Sequence, residues 1–324
     1  MIAEADGRLW VLIAAIVIDA GVGEPRALWR LVPHPVVAMG AGIGWLDDKL
    51  NREQARTDAR SAAGGLAAAL ILGAGLLAGG IASVGVGVLP YAGVFEAIAV
   101  AVILAGRGLY DHVAAIADGL AGGGVKGGRA AVAHIVGRDP HSLDEPGVVL
   151  AGIESLAENF SDGVIAPALW YLVFGLPGLV AYKAVNTADS MIGHRTPRHL
   201  AFGAATARLD DVLNWIPARL SGGLIAIAAF FGGWDWRGAI AAMRADAGRH
   251  RSVNAGWPEA AMAGALGVAL AGPRSYDGKT VDDALMNAGG RLAAGVEDIR
   301  AALRLFIGAA GVFVLALALI ATVN

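Results

Sequence analysis

The stretch Ala62–Leu89, AAGGLAAALILGAGLLAGGIASVGVGVL, carries no charged residue. As a helix it is long enough to cross a hydrocarbon core of about 30 Å. The uncharged turn Pro90-Tyr91-Ala92-Gly93 follows it, and Val94–Gly106 returns to the apolar pattern with only Glu96 inside. The two stretches therefore predict a helical hairpin in a membrane. Upstream, the apolar run Leu9–Ala20 is preceded by Glu4, Asp6 and Arg8, without a basic leader region or a small-residue cleavage site, so it reads as a retained anchor. Downstream, Leu305–Val323 reads as a terminal span. The run Gly163–Tyr182 is interrupted by Pro167, Gly175 and Pro177. It is either one kinked span or a re-entrant pair of half-helices. Re-entry is preferred, because a full crossing would separate the polar clusters on its two sides.

The expectation is one integral membrane domain, residues 1–324, with spans near 9–22, 62–89, 93–106 and 305–323 and re-entrant or kinked segments at 163–182 and 220–233. Its fold class is all-α: a polytopic helical membrane protein with amphipathic helices and motif-bearing loops at the cytoplasmic face. Apolar residues recur at helical spacing in Val148, Leu150, Ile153 and Leu156, behind a capping-box pattern at Ser142 and Glu145. No alternating strand pattern is visible. The basic residues of 24–60 and 107–162 place those segments on the cytoplasmic side of a bacterial inner membrane.

Composition agrees. Of 324 residues, 56% are hydrophobic and only 16% charged, and the mean hydropathy is +0.59, more apolar than a water-soluble globule. A net charge of −3 without a basic block argues against a nucleic-acid partner. The absence of cysteine excludes disulfides, a thiol nucleophile and Cys-ligated metal. The histidines His112, His134, His141, His194, His199 and His250 show no paired spacing of the H-E-x-x-H kind, so zinc has no support. Gly122, Gly124 and Gly127 match G-x-G-x-x-G by letter, but no strand precedes them and a helix connector is the preferred reading. Gly272, Gly278, Lys279 and Thr280 miss P-loop spacing by one residue.

Four polar segments beside apolar runs carry the chemistry. In Glu154-Ser155-Leu156-Ala157-Glu158-Asn159-Phe160-Ser161-Asp162-Gly163, a helix would stack Glu154, Glu158 and Asp162 on one face. Like charges at that spacing repel, and either Mg2+ with nucleotide phosphates or plain solvation would relieve them. Lys183, Asn186, Asp189 and Ser190 lie on neighbouring turns at a membrane boundary, where Lys183 either snorkels to headgroups or meets a substrate phosphate. The segment Arg208–Arg219 packs Asp210, Asp211 and Asn214 between two guanidiniums. Adjacent aspartates point in different directions on a helix, so one pairs with Arg208 while the other binds metal or accepts an amine proton. The segment Asn254–Glu259 reads as a turn with Pro258 in the first helical turn and Glu259 at its positive end. His34, between Pro33 and Pro35, is either a positioned proton-transfer group or a loop histidine satisfied by backbone.

Together these segments resemble the adenosylcobinamide-phosphate synthase family, CbiB/CobD type, of cobalamin biosynthesis. The strings that carry the resemblance are Gly23-Glu24-Pro25 with Pro33-His34-Pro35-Val36, the Glu154–Gly163 and Tyr182–Met191 segments, Arg208–Arg219, and Asn254-Ala255-Gly256-Trp257-Pro258-Glu259-Ala260-Ala261-Met262, from about Asp19 to Gly272. Thr196–Leu200 and Tyr276–Glu297 depart from the pattern. The resemblance implies an ATP- and Mg2+-dependent ligase that joins the free propionate of adenosylcobyric acid to (R)-1-amino-2-propanol or its O-phosphate. It assigns catalysis to Asp210, Asp211 and Lys183 and metal to Glu154, Glu158 and Asp162. Substrate and ATP binding fall to Arg208, Arg219, Asn159, Asn186, Asp189, Ser190, Asn214, Asn254, Glu259 and His34. Implied partners are the lipid bilayer and other corrinoid-pathway enzymes. The competing class is a transporter or permease for a corrinoid or other small molecule, since broken apolar helices with charges at the membrane edge also build carriers.

Overall fold

The computed structural model describes residues 2–23, 25–135, 140–272, 274–276, 279–281 and 283–323. Glu24 and Gly278, which belong to two of the motifs above, lie outside them. In chain order the helices are α1 (Ile2–Val22), α2 (Arg26–Leu31), α3 (Pro35–Leu50), α4 (Thr57–Gly87), α5 (Ala92–Ile103), α6 (Gly106–Val132), α7 (Glu145–Phe160), α8 (Ala166–Ile192), α9 (Ala204–Gly232), α10 (Trp236–Asp246), α11 (Gly256–Leu266) and α12 (Val296–Val323). A π-helical turn, Ser161–Ile165, joins α7 to α8.

The protein is mostly helical, as its hydropathy pattern requires. Four short strands are an addition the sequence did not signal: β1 (Leu270–Ala271) pairs antiparallel with β4 (Leu285–Met286), and β2 (Arg274–Tyr276) with β3 (Lys279–Val281). Two or three residues are too few to show an alternating pattern. Five segments are long and apolar enough to cross a membrane: Thr57–Gly87, Ala92–Val132, Glu145–Ile192, Ala204–Gly232 and Val296–Val323. The expected anchor near 9–22 lies in α1, where Asp6, Arg8 and Asp19 leave no charge-poor stretch of comparable length among the described residues.

The contacts divide the chain into two compact units. The first comprises residues 1–105, 166–214 and 323–324. Its core is set by small residues on one face of α4. A Cβ at Gly75 would lie 2.6 Å from the Ala181 Cα, and one at Gly79 2.5 Å from the Pro177 Cα, so the glycines let α4 and α8 touch backbone to backbone. Ile43, Ala67, Ile71, Ala184, Ala188, Ile192 and Phe202 fill the space beside this contact. The opposite face of α4 turns Leu66, Leu70, Leu77, Ile81 and Val84 outward. A lipid-facing helix has that distribution; a soluble one would bury them. Glu96, the one charge inside α5, accepts a hydrogen bond from the Tyr171 hydroxyl at 2.9 Å. A half-buried ionisable group in an apolar helix needs such a partner.

The second unit comprises residues 106–165 and 215–322. Its α7 is capped by Asp144, whose carboxylate accepts from the Gly147 N–H at 2.9 Å, in place of the expected Ser142 box. The α10–α11 contact runs through Gly238, where a Cβ would sit 2.7 Å from the Gly264 carbonyl oxygen. Phe160 meets Phe306 edge-on with centroids 5.5 Å apart.

Each unit contains a helix that reverses at a glycine. Gly124 in α6 has φ 58° and ψ −154°. Gly175 in α8 has φ 67° and ψ −153°. These left-handed φ values suit glycine because it has no Cβ. Three residues later a second glycine lets the returning arm touch the departing one. A Cβ at Gly127 would collide with the Gly119 carbonyl, and one at Gly178 with the Trp170 carbonyl. Residues eight apart in a straight helix would be separated by about 12 Å. The pattern is therefore G-x-x-G, the first glycine turning the chain and the second making room. Arg8 donates to the carbonyls of Leu172 and Val173 at 3.4 and 3.2 Å, closing the end of the first α8 arm.

Candidate active site

In the first unit, α8 and the start of α9 bring together the Lys183–Ser190 and Arg208–Asn214 segments. Asp210, 8% exposed, accepts from the Asn214 amide at 2.9 Å and from the Asn186 amide at 3.3 Å. The Tyr182 hydroxyl donates to the Asn214 carbonyl oxygen at 2.9 Å, which fixes the Asn214 amide with its NH2 toward Asp210. Asp189 and Asp211 lie close enough for their charges to act on each other, and Asp189 also acts on Asp210. The His194 charge acts on Asp189 and the Arg195 charge on Asp211. Ser190 turns back onto the Asn186 carbonyl at 3.0 Å. Arg208 is exposed while Asp210 is buried and Asp211 half-buried. The neighbouring aspartates thus occupy different environments.

Lys183, on the same α8, lines a cavity together with His34. His34 Nδ1 accepts from the Val36 N–H at 3.2 Å, which leaves the proton on Nε2, 3.0 Å from the Val102 carbonyl. Both ring nitrogens are thereby used by backbone, and His34 caps α3.

Beside these lies a surface cluster. The Arg198 guanidinium forms ion pairs with Asp47 at 2.7 Å and Glu53 at 2.9 Å, and Asn51 donates to Asp47 at 2.8 Å. Burial pushes the Asp47 carboxyl up, but hydrogen bonds from Asn51, Arg198 and His199 and the Arg198 charge outweigh it and hold the group below the usual carboxylate range.

The second unit holds the remaining predicted residues. Glu154 is 6% exposed, and its carboxylate accepts the N–H of Ala271, a residue at φ 59°, at 2.7 Å. Glu158 and Asn159 are exposed and Asp162, on the π turn, is half-buried. Asn159 donates to the Ser155 carbonyl at 2.9 Å. Among the described residues no three His, Cys, Asp or Glu side chains gather as a metal-holding group. The expected Glu154–Glu158–Asp162 set is accordingly spread from the interior to the surface. The donor chemistry still suits Mg2+, which takes one or two carboxylates together with nucleotide phosphates. Arg219 is sandwiched between the Trp215 and Trp257 rings at 4.4 and 4.7 Å and donates to Asn254 at 2.9 Å. Glu259, 3% exposed, has its Oε2 3.6 Å from His250 Nε2.

The family model described as CobD/Cbib protein matches residues 12–306. The chain belongs to this family. Curated relatives named cobalamin biosynthesis protein CobD include one from a Sinorhizobium species, 53% identical over 96% of this chain and 98% of its own length. Others are from Rhizobium meliloti, 51% identical over 96% of both chains, and Rhodobacter capsulatus, 46% identical over 86% of both. No solved structure matches. Membership makes this a protein of cobalamin biosynthesis. The family match spans every candidate site residue, from His34 to Glu259.

Three residues that surround these side chains had no role assigned from the sequence. Tyr182 was quoted within its motif without a role, although it orients Asn214. Asp19 and Trp29 line the Lys183 cavity from α1 and α2. Asp19 sits inside an apolar anchor, where a lone carboxylate is costly; that was the available signal.

Proposed function

We propose that the protein is the ATP-dependent ligase that joins the free propionate of adenosylcobyric acid to (R)-1-amino-2-propanol or its O-phosphate. Family membership supports the pathway. The observation that carries the chemistry is the buried Asp210, held by Asn186 and Asn214 from two helices beside Asp189 and Asp211. An amine at neutral pH is an ammonium ion and cannot attack a carbonyl until it loses a proton. Asp210 and Asp211 offer carboxylates of different exposure, one to hold the ammonium and one to take its proton. The oriented amides keep Asp210 in place during that transfer.

A carboxylate is a poor electrophile, so the γ-phosphoryl group of ATP is transferred to the propionate oxygen with release of ADP, and the amine then displaces phosphate from the resulting mixed anhydride to form the amide. Mg2+, when bound, would neutralise phosphate charge at Glu158 and Asp162, the two accessible carboxylates of their segment. Glu154, spent on the Ala271 N–H, positions the 270–271 strand. Lys183 contributes its point charge to phosphate or to developing negative charge. Arg219 is held between two indoles, a clamp that presents a fixed guanidinium.

The test uses the purified chain in detergent with adenosylcobyric acid, aminopropanol phosphate, ATP and Mg2+, and follows corrinoid mass. Wild type should yield the amide. Glu158→Gln and Asp210→Asn should each lower kcat by roughly 100-fold, the usual scale for a lost proton-transfer or charge-stabilising group. Folded wild-type protein that gives no product, with or without a partner extract, would favour the carrier reading, to which the two glycine reversals are also suited.

A further inference from the structure

In the second unit, the later part of α9 and α10 run antiparallel. A Cβ at Gly222 would lie 2.7 Å from the Met243 sulfur, and the Phe230 and Trp236 rings meet edge-on with centroids 5.7 Å apart. Between them lies a groove of about 390 Å3, lined by Gly223, Ile227 and Phe230 from α9 and by Trp236, Ile240 and Met243 from α10. No ionisable side chain is among its described lining residues. Ile227 and Phe230 are exposed and the three α10 side chains half-buried, so the groove opens at the surface. Its floor is empty at Gly223, where a Cβ would meet no atom within 4 Å.

One shoulder of this apolar groove is basic. Arg237 and Arg244 are exposed and seven positions apart, which puts them on one edge of α10, next to the groove positions 236, 240 and 243. The acids nearest in sequence are engaged elsewhere. Asp235 caps α10 by accepting the Gly238 N–H at 2.8 Å, and Asp246 accepts the Asn287 N–H at 2.8 Å and pairs with Arg249 at 3.2 Å. Among the described residues neither Arg237 nor Arg244 has an ion-pair partner; the Arg237 guanidinium lies 5.3 Å from the centroid of the Trp236 ring. Trp234 and Trp236 flank the turn into α10. Tryptophan beside arginine is the composition of a membrane–water interface, the level at which lipid phosphates lie.

The groove and its basic edge sort the occupants. A partner helix is about 10–12 Å across with its side chains, too broad for this volume. A neutral apolar solute fits the groove but makes no use of the two guanidiniums. A lipid with a negative headgroup answers both, hydrocarbon against the aliphatic and aromatic walls and phosphate oxygens against arginine. We infer that this groove holds an anionic phospholipid, with an acyl chain between α9 and α10 and the headgroup phosphate at Arg237 and Arg244. The inference is independent of the ligase reading, because none of these residues has been given a part in catalysis or substrate binding.

The experiment is native mass spectrometry of the full chain from detergent, after incubation with equal amounts of phosphatidylglycerol and phosphatidylethanolamine of the same acyl chains. Wild type should retain one phosphatidylglycerol in preference to phosphatidylethanolamine by about tenfold or more, the scale of two basic contacts to an anionic headgroup. Replacing both arginines, Arg237→Gln with Arg244→Gln, should erase the preference. Gly223→Leu fills the empty floor and should lower retention of both lipids about tenfold while leaving the thermal midpoint unchanged or slightly raised; it keeps the test decisive if the double arginine variant does not fold. Equal retention of the two lipids by wild type, or a preference that survives in both variants, overturns the assignment. Glycerol 3-phosphate, which has the headgroup charge without the chains, should not displace the lipid; displacement at equal concentration would make the arginines a site for soluble phosphate and remove the lipid. A bound second copy of the chain that is lost in Gly223→Leu would make the groove a contact between chains and overturn the inference equally.

Discussion

At the residue scale the structure rests on polar groups that have few alternatives. Asn214 is the clearest, since its amide joins the Tyr182 hydroxyl to the Asp210 carboxylate. Asn214→Ala should leave both without that partner and cost about 1–3 kcal/mol, read as a lower thermal midpoint in detergent. Tyr182→Phe removes only the orienting donor. It should lower kcat for amide formation more than it changes KM, because Asp210 keeps its bond from Asn186. A Tyr182→Phe enzyme with wild-type kcat would show that the orientation of Asn214 does not matter. Asp47 makes a prediction about pH. Its folded carboxyl sits below the ordinary value of 3.8, so the stabilisation it supplies is complete above that value and is lost as pH falls through the lower folded one. The thermal midpoint of wild type should therefore drop on acidification below about 3.8 more steeply than that of Asp47→Asn, which lacks the titrating group.

At the element scale the informative features are the two G-x-x-G reversals. Hydropathy together with Pro167, Gly175 and Pro177 was enough to mark 163–182 as broken, because helix-breaking residues inside an apolar run are visible letter by letter. What the letters do not carry is the contact across the break, the Gly178 backbone against Trp170, since it depends on the angle that Gly175 adopts. The same limit hid the Tyr182–Asn214 bond, whose partners lie 32 positions apart, and the short strands of 270–286, which are below any detectable period. Gly175→Ala places a Cβ at φ 67° and should cost about 1–2 kcal/mol. Gly178→Ala meets the Trp170 carbonyl and the Phe174 Cβ, the latter at 2.6 Å, and should cost more because backbone must move. Gly122→Ala, with open space around its Cβ, should leave the midpoint unchanged or raise it slightly. If all three variants melt alike, the reversals are not under the constraint their glycines indicate.

At the scale of the whole molecule, the membrane is what reconciles so apolar a chain with so many outward-facing aliphatic side chains. The fold class was legible because a bilayer imposes its thickness on sequence, and Ala62–Leu89 meets that requirement without a charge. The helix built from it, α4, carries Arg56 and Asp58 exposed at its start and Tyr91 exposed beyond its end. Basic residues favour the cytoplasmic side, so the start of α4 should be inside the cell and Tyr91 outside the inner membrane. The chain contains no cysteine, so a single introduced thiol is unique and labels without background. Tyr91→Cys should react with a membrane-impermeant maleimide once the outer envelope is opened, whereas Asp58→Cys should react only after the inner membrane is breached. Reaction of both thiols from the same side would mean that α4 does not cross. Reaction in the opposite order would put the start of α4 outside, where cytoplasmic ATP does not reach, and the ligase would then need its nucleotide site on segments away from that end.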